Sequence, residues 1–309
     1  MMWNRTATKG FILTGFSFCS DIQVALFAVF LLIYIIALCG NLAVIAVITT
    51  TKNLHTPMYF FLCILSSLDI VSVSVTVPRM MKDLWTQQKQ ISFHGCITQV
   101  FVIFSLTASD ALLLTVMCYD RFTAICHPLI YTSLMSRQLC LNMICLSLMG
   151  GVLFSFVNTF LVSQLPFCGH NRIDNFLCEF PALLKLACGD TLLTEIVIFI
   201  LAGGAGSMAI LTILTSYIYI IRVILNIPST EGKKKVFSTC SAHLMVVFLF
   251  FGTGAATHLT PPSSQEKPDK LASLFYTVFT PTLNPIIYSL RNEDVKQALR
   301  KAFNKKRTY

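Results

Sequence analysis

The stretch IQVALFAVFLLIYIIALCGNLAVIAVITTT, Ile22 to Thr51, contains no Asp, Glu, Lys or Arg. A hydrocarbon core is crossed by roughly 20 apolar helical residues, so this run is long enough to span a bilayer. Lipid offers no partner to a free amide, so the run must be helical to satisfy its own backbone. Its apolar core is too long for a cleaved signal peptide, and no small-residue cleavage site follows. Gln138–Gly169, Ile196–Ile221 and Leu271–Leu290 are likewise free of charge, and Val236–Gln265 carries only His243 and His258. Two further apolar runs enclose acids: Met58–Val77 around Asp69, and Cys96–Ile125 around Asp110. The pattern predicts an all-α membrane protein, a bundle of seven transmembrane helices forming one domain over 1–309. The spans fall at roughly 24–48, 58–78, 96–125, 139–165, 196–221, 236–259 and 271–290, after an N-terminal segment at 1–23.

Composition agrees. Of 309 residues 55% are hydrophobic and 12% charged, and mean hydropathy is +0.72. A soluble domain carries about 25% charged residues. The net charge of +9 is unevenly placed. With the N-terminus outside, fourteen of the 23 Lys and Arg lie in the inner loops and the tail, while eight of the 14 acids lie outside. That asymmetry is the positive-inside signal of a multi-pass membrane protein with a cytoplasmic C-terminus, and it makes a nucleic-acid partner unnecessary. Asn4-Arg5-Thr6, a glycosylation sequon, falls on the predicted outer side. The tail at 291–309 contains RNEDVKQALRKAF, which puts Val295, Leu299 and Phe303 at helical spacing among basic residues. Such a segment suits a short amphipathic helix lying on the inner leaflet. Cys96, Cys168, Cys178 and Cys188 all fall outside, where two disulfides can form in any of three pairings.

Several motifs stand in order along the chain: Gly40-Asn41, LHTPMYFFL (Leu54–Leu62), LSSLDI with Asp69, MCYDRFTAICHPL (Met117–Leu129), Ser216-Tyr217, KKVFSTCSAHL (Lys234–Leu244), and PTLNPIIYSLRN (Pro281–Asn292). Together they resemble a rhodopsin-like G-protein-coupled receptor, and within that class an olfactory receptor, over nearly the whole chain. The usual family text reads closer to MAYDRYVAICHPL; here Cys118, Phe122 and Thr123 differ. Phe251 stands where Tyr is common and Asp110 where Glu is common.

The resemblance implies a signalling receptor and not an enzyme. Its partners would be a small odorant, a stimulatory G protein that raises cyclic AMP, and membrane lipids. It implies a disulfide from Cys96 to Cys178, which leaves Cys168 with Cys188. It implies that Asp120 holds Arg121 until the cation is released toward the C-terminal helix of a G-protein α subunit. Tyr217 and Tyr288 would steady the displaced Arg121, and Asn284 and Pro285 give the seventh span a place to bend.

Helical spacing gathers Phe104, Thr107, Ala108 and Ala111 on one span and Phe251, Gly254, Ala255 and His258 on another. Gly203, Gly204 and Ser207 on the fifth span, with Tyr276 and Thr277 on the seventh, complete a pocket in the outer half. Such a lining is apolar with a few hydroxyls and one imidazole, suited to a small volatile molecule. Asp69 and Asp110 each need a proton or a cation inside apolar helices, and a sodium ion between them is the one inorganic cofactor expected.

The seventh span has no Lys to bind retinal, and the outer half of the third has no acid to pair with an amine. A transporter or channel using Asp69 and Asp110 is the rival class. The odd span count, the lack of internal repeats and the lack of a chain of acids across the bilayer stand against it. A peptide or lipid receptor of the same fold would favour a longer acidic or aromatic N-terminal segment.

Overall fold

In the computed structural model the described residues are 10–15, 20–86, 89–168, 171–259 and 268–305. The run quoted above forms α1 (Ser20–Thr50); it is followed by α2 (Pro57–Thr86), α3 (Phe93–Cys126), the single turn α4 (Tyr131–Leu134) and α5 (Arg137–Ser163). After a short α6 (Phe180–Leu186) come α7 (Leu192–Asn226) and α8 (Thr230–Leu259). Six of these helices are long and apolar enough to cross a membrane on their own.

The seventh crossing is composite. α9 (Pro268–Leu274) runs into a π turn (Phe275–Phe279) and then α10 (Thr280–Arg291). The Thr280 amide reaches back five residues to the Phe275 carbonyl. The slipped register ends at Pro281, whose ring nitrogen has no hydrogen to continue the ladder. The amphipathic α11 (Glu293–Lys305) follows, with Val295 and Ala298 buried against the bundle.

Pro285 leaves the Pro281 carbonyl without its i+4 donor. Asn41 of α1 supplies one: its Nδ2 donates to Pro281 O at 3.1 Å and to Ala37 O at 3.0 Å. Gly40 lets the helices come that close, because a Cβ there would lie 3.0 Å from Pro285 Cγ. The pair Gly40-Asn41 therefore joins the first crossing to the bend in the seventh.

One end of the bundle is capped by a small sheet. β1 (Gly10–Leu13) lies between β2 (Gln90–Ser92), antiparallel, and β3 (Arg172–Ile173), parallel. Phe11 and Leu13 are buried with Cys96, Val100 and Leu183. Cys96 is bonded to Cys178, with Cα atoms 5.5 Å apart, and Cys168 to Cys188, at 5.8 Å. The segment before α1 thus includes a strand that its sequence does not announce. Asn4 lies outside the described residues.

Candidate functional site

The opposite end of α3 carries the acid and base. Asp120 is fully buried and Arg121 half-buried, with Nη2 3.4 Å from Asp120 Oδ2. That contact is electrostatic only: Asp120 Oδ2 and Arg121 Nε make no hydrogen bond. The bond that holds Asp120 comes from elsewhere. Tyr131 of α4 donates its hydroxyl to Asp120 Oδ1 at 2.8 Å. Burial, and then the Asp120 charge, push the Tyr131 phenol above its ordinary value, so it remains a donor. Asp120 is thus anchored by a loop tyrosine, and among the described residues Arg121 makes a single ion pair.

Tyr217 does not reach Arg121 by any hydrogen bond here. Its hydroxyl pairs with His243 Nδ1 at 2.8 Å, and the two rings stack at 5.9 Å. His243 Nε2 lies 3.1 Å from the Leu114 carbonyl, which can only accept. The imidazole is therefore the Nε2–H tautomer, and its Nδ1 accepts from Tyr217. One fully buried histidine ties α3, α7 and α8 together. Sequence alone gives His243 no role; its signal is an imidazole inside an otherwise uncharged run.

Between these residues and the capped end lies a polar cluster. Asn284 Nδ2 donates to both oxygens of Asp69, at 3.2 and 3.0 Å. Asp110 sits within electrostatic range of Asp69. Asp110 Oδ1, Asn284 Oδ1 and the Tyr288 hydroxyl are buried without a hydrogen-bond partner. Such a set of orphaned oxygens fits a small hard cation. Among the described residues no group of three or more His, Cys, Asp or Glu could hold a metal, so neutral oxygens would have to complete the shell.

The expected ligand wall is placed unevenly. Phe104 lies against Phe180, ring centroids 4.2 Å apart. Ala108 and Ala111 are half-buried, and Thr107 turns its hydroxyl back to Ile103 O. Thr277 is buried and donates to Ser273 O. Phe251 packs toward Cys118 and Tyr217, on the switch side, and Gly254 is half-buried. The side chains of Ala255 and His258 lie outside the described residues.

Gly203 and Ser207 are corrected. Both stand on the exposed face of α7, as does Gly204. The buried positions Ala209, Ile213, Tyr217 and Ile220 set the inward stripe of that helix. Carried back at helical spacing, the stripe passes through Gly206 and Ala202, which are half-buried.

Above this region the second disulfide-bearing segment turns inward. Cys178 N donates to Gln99 Oε1 at 3.1 Å, Asn175 Nδ2 to Ser273 Oγ at 3.2 Å, and the Tyr276 hydroxyl to Glu179 Oε1 at 2.5 Å. Glu179, buried over the predicted pocket, was not anticipated.

The comparisons with known proteins bear on what this arrangement is. The olfactory receptor family matches residues 30–306. The chain belongs to the olfactory receptor family. This olfactory receptor is 44% identical over 305 residues to Olfactory receptor 2C1 of Mus musculus, covering 98% of each chain. It is 44% identical over 308 residues to Olfactory receptor 5A1 of Homo sapiens, covering 99% of this chain and 98% of that one. Squid rhodopsin superposes with a TM-score of 0.69 at 18% identity, covering 94% of this chain and 83% of that one, a likeness of fold. The protein is a multi-pass membrane receptor of the seven-helix class, and signalling, not catalysis, is its function.

Proposed function

We propose that this olfactory receptor binds a small, mostly apolar odorant in the half of the bundle beneath the sheet. Binding there would activate a stimulatory G protein at the Arg121 end and raise cyclic AMP. The sheet and both disulfides would face outward and α11 the cytosol, in line with the basic residues concentrated at the latter end. One observation carries the coupling: Asp120 is hydrogen-bonded by Tyr131, while Arg121 is retained by a 3.4 Å charge contact without a hydrogen bond. A cation held in that way is freed without leaving a buried carboxylate wholly unpartnered.

Tyr217, His243 and the Leu114 carbonyl supply the opposing latch, and α8 cannot move from α3 without breaking the bond from His243 to Leu114. A sodium ion between Asp69 and Asp110 would supply positive charge to the polar cluster and steady the resting state. Asn284 and Tyr288 are the neutral residues placed to help hold it.

The test is cyclic AMP in cells expressing wild type and Arg121→Ala at matched surface level, with and without a panel of apolar odorants. Wild type is expected to exceed untransfected cells in basal or evoked signal, and the variant to fall to their level. Equal signal from both would overturn the coupling.

A further inference from the structure

Where the ends of α1, α2 and α5 meet, a groove of about 700 Å³ opens on the outside of the bundle. Its walls are apolar, with Ile48 and Met135 buried, Cys63 half-buried and Phe60 exposed. Its rim is basic: Arg137 opens α5, and His55 follows the turn Lys52–Leu54. None of the lining residues is acidic. Lys52 is exposed one turn away.

Two features say what would fit. Phe60 belongs to a membrane-crossing helix while Arg137 is the first residue of another, so apolar wall and cation sit at the depth where acyl chain meets headgroup. Arg137 is exposed and makes no ion pair among the described residues. It stands at the start of a 27-residue helix, where Ser136 Oγ accepts from Leu139 N and the first-turn amides precede any intrahelical acceptor. A neutral lipid would fill the walls and leave the cation unused. A free anion would use the cation and leave the walls open.

We infer that the groove holds an anionic phospholipid, its headgroup on Arg137 and an acyl chain along Phe60 and Cys63. The inference rests on the reading that this end of the bundle lies at a membrane surface, and anionic lipid is concentrated in the cytoplasmic leaflet. The occupant would touch three helices and the segment that carries Tyr131, since Met135 N donates to Tyr131 O at 2.8 Å.

The experiment uses the full-length receptor purified in a neutral detergent. It is titrated separately with dioleoyl phosphatidylserine, dioleoyl phosphatidylcholine and inorganic phosphate. Native mass spectrometry reads bound lipid, and thermal unfolding reads stabilisation. Phosphatidylserine is expected to bind saturably and raise the unfolding temperature, with neither effect from the other two. Arg137→Gln should weaken phosphatidylserine about five-fold, the ~1 kcal/mol that one cation contributes beside anionic lipid. Arg137→Lys should restore most of the loss, which separates charge from folding. Equal stabilisation by phosphatidylcholine would mean apolar filling only, and equal stabilisation by phosphate would mean an anion site without a lipid. Either result overturns the proposal, as does unchanged affinity in Arg137→Gln. Because micelles have no sidedness, the outcome is independent of orientation. Antibody access to N- and C-terminal tags on intact cells decides orientation separately.

Discussion

Replacing Asn41 with Ala withdraws the donor 3.1 Å from the Pro281 carbonyl, at the bend of the seventh crossing. That carbonyl has no backbone partner four residues on, because residue 285 is proline. Orphaning a buried acceptor costs about 1–3 kcal/mol. Side-chain hydrogen bonds between spanning helices average ~0.6 kcal/mol, because a displaced group usually finds another partner. Here the carbonyl faces α1, so we expect a loss of about 1–2 kcal/mol, between those bounds. The companion bond to Ala37 O contributes little, since that oxygen lies inside α1 and can take a helical amide.

The assay is thermal unfolding of purified receptor, followed with a thiol-reactive dye that reports exposure of buried Cys118, Cys140 and Cys240. Pro285→Ala supplies the missing N–H and makes Asn41 redundant. In that background Asn41→Ala should cost no more than ~0.5 kcal/mol, the scatter of independent sites. Gly40→Ala should follow the same direction, destabilising against the ring Cγ 3.0 Å away and costing less once the ring is gone, with the Cβ of residue 285 still 3.3 Å away. Equal losses in both backgrounds would refute the account of why Gly40, Asn41 and Pro285 go together.

Tyr131→Phe removes the hydrogen bond on Asp120, worth about 1 kcal/mol once the partial exposure of Tyr131 is allowed for, and should lower ligand-independent cyclic AMP, because releasing Arg121 would then leave the buried carboxylate unpartnered. Unchanged basal signal at matched surface level would count against Tyr131 as the anchor. The two disulfides close loops of different span, 82 and 20 residues apart. On chain entropy alone, losing Cys96–Cys178 should cost ~4.5 kcal/mol and losing Cys168–Cys188 ~3.3 kcal/mol, so surface expression should fall further for the first pair. Peptide mapping that recovered Cys96 joined to Cys168 or Cys188 would contradict both. Raising sodium should lower agonist potency in wild type, and Asp110→Asn should blunt the effect. Equal sodium dependence in both would remove the ion from this cluster.

What could be read from sequence tracks what lipid demands. A crossing must be long, apolar and helical, so a run such as Ile22–Thr51 announces itself. Acids or bases inside such runs also stand out, and so Asp69, Asp110, Asp120 and Arg121 were found. Helix phase is harder to read. α7 is apolar all round, so no contrast between faces marked Gly206 rather than Gly203 or Ser207 as inward. His243 carries no fixed charge and makes its point only through partners 26 and 129 residues away. Glu179 looks like any loop acid until the chain folds back over Tyr276. The π turn at Phe275–Phe279 leaves no mark in composition; only Pro281 hints at it.

The sheet at the capped end has a consequence for the order of assembly. β1 is its middle strand, yet it leaves the ribosome before either neighbour: β2 follows about eighty residues later and β3 about eighty after that. Until both arrive, Phe11 and Leu13 have nowhere to be buried, and the segment must wait beside the growing bundle. Pairings so distant in sequence close late, because loop entropy must be overcome before they contribute. The first strand made is thus among the last to settle, and its burial records that residues 90–92 and 172–173 have both reached their places.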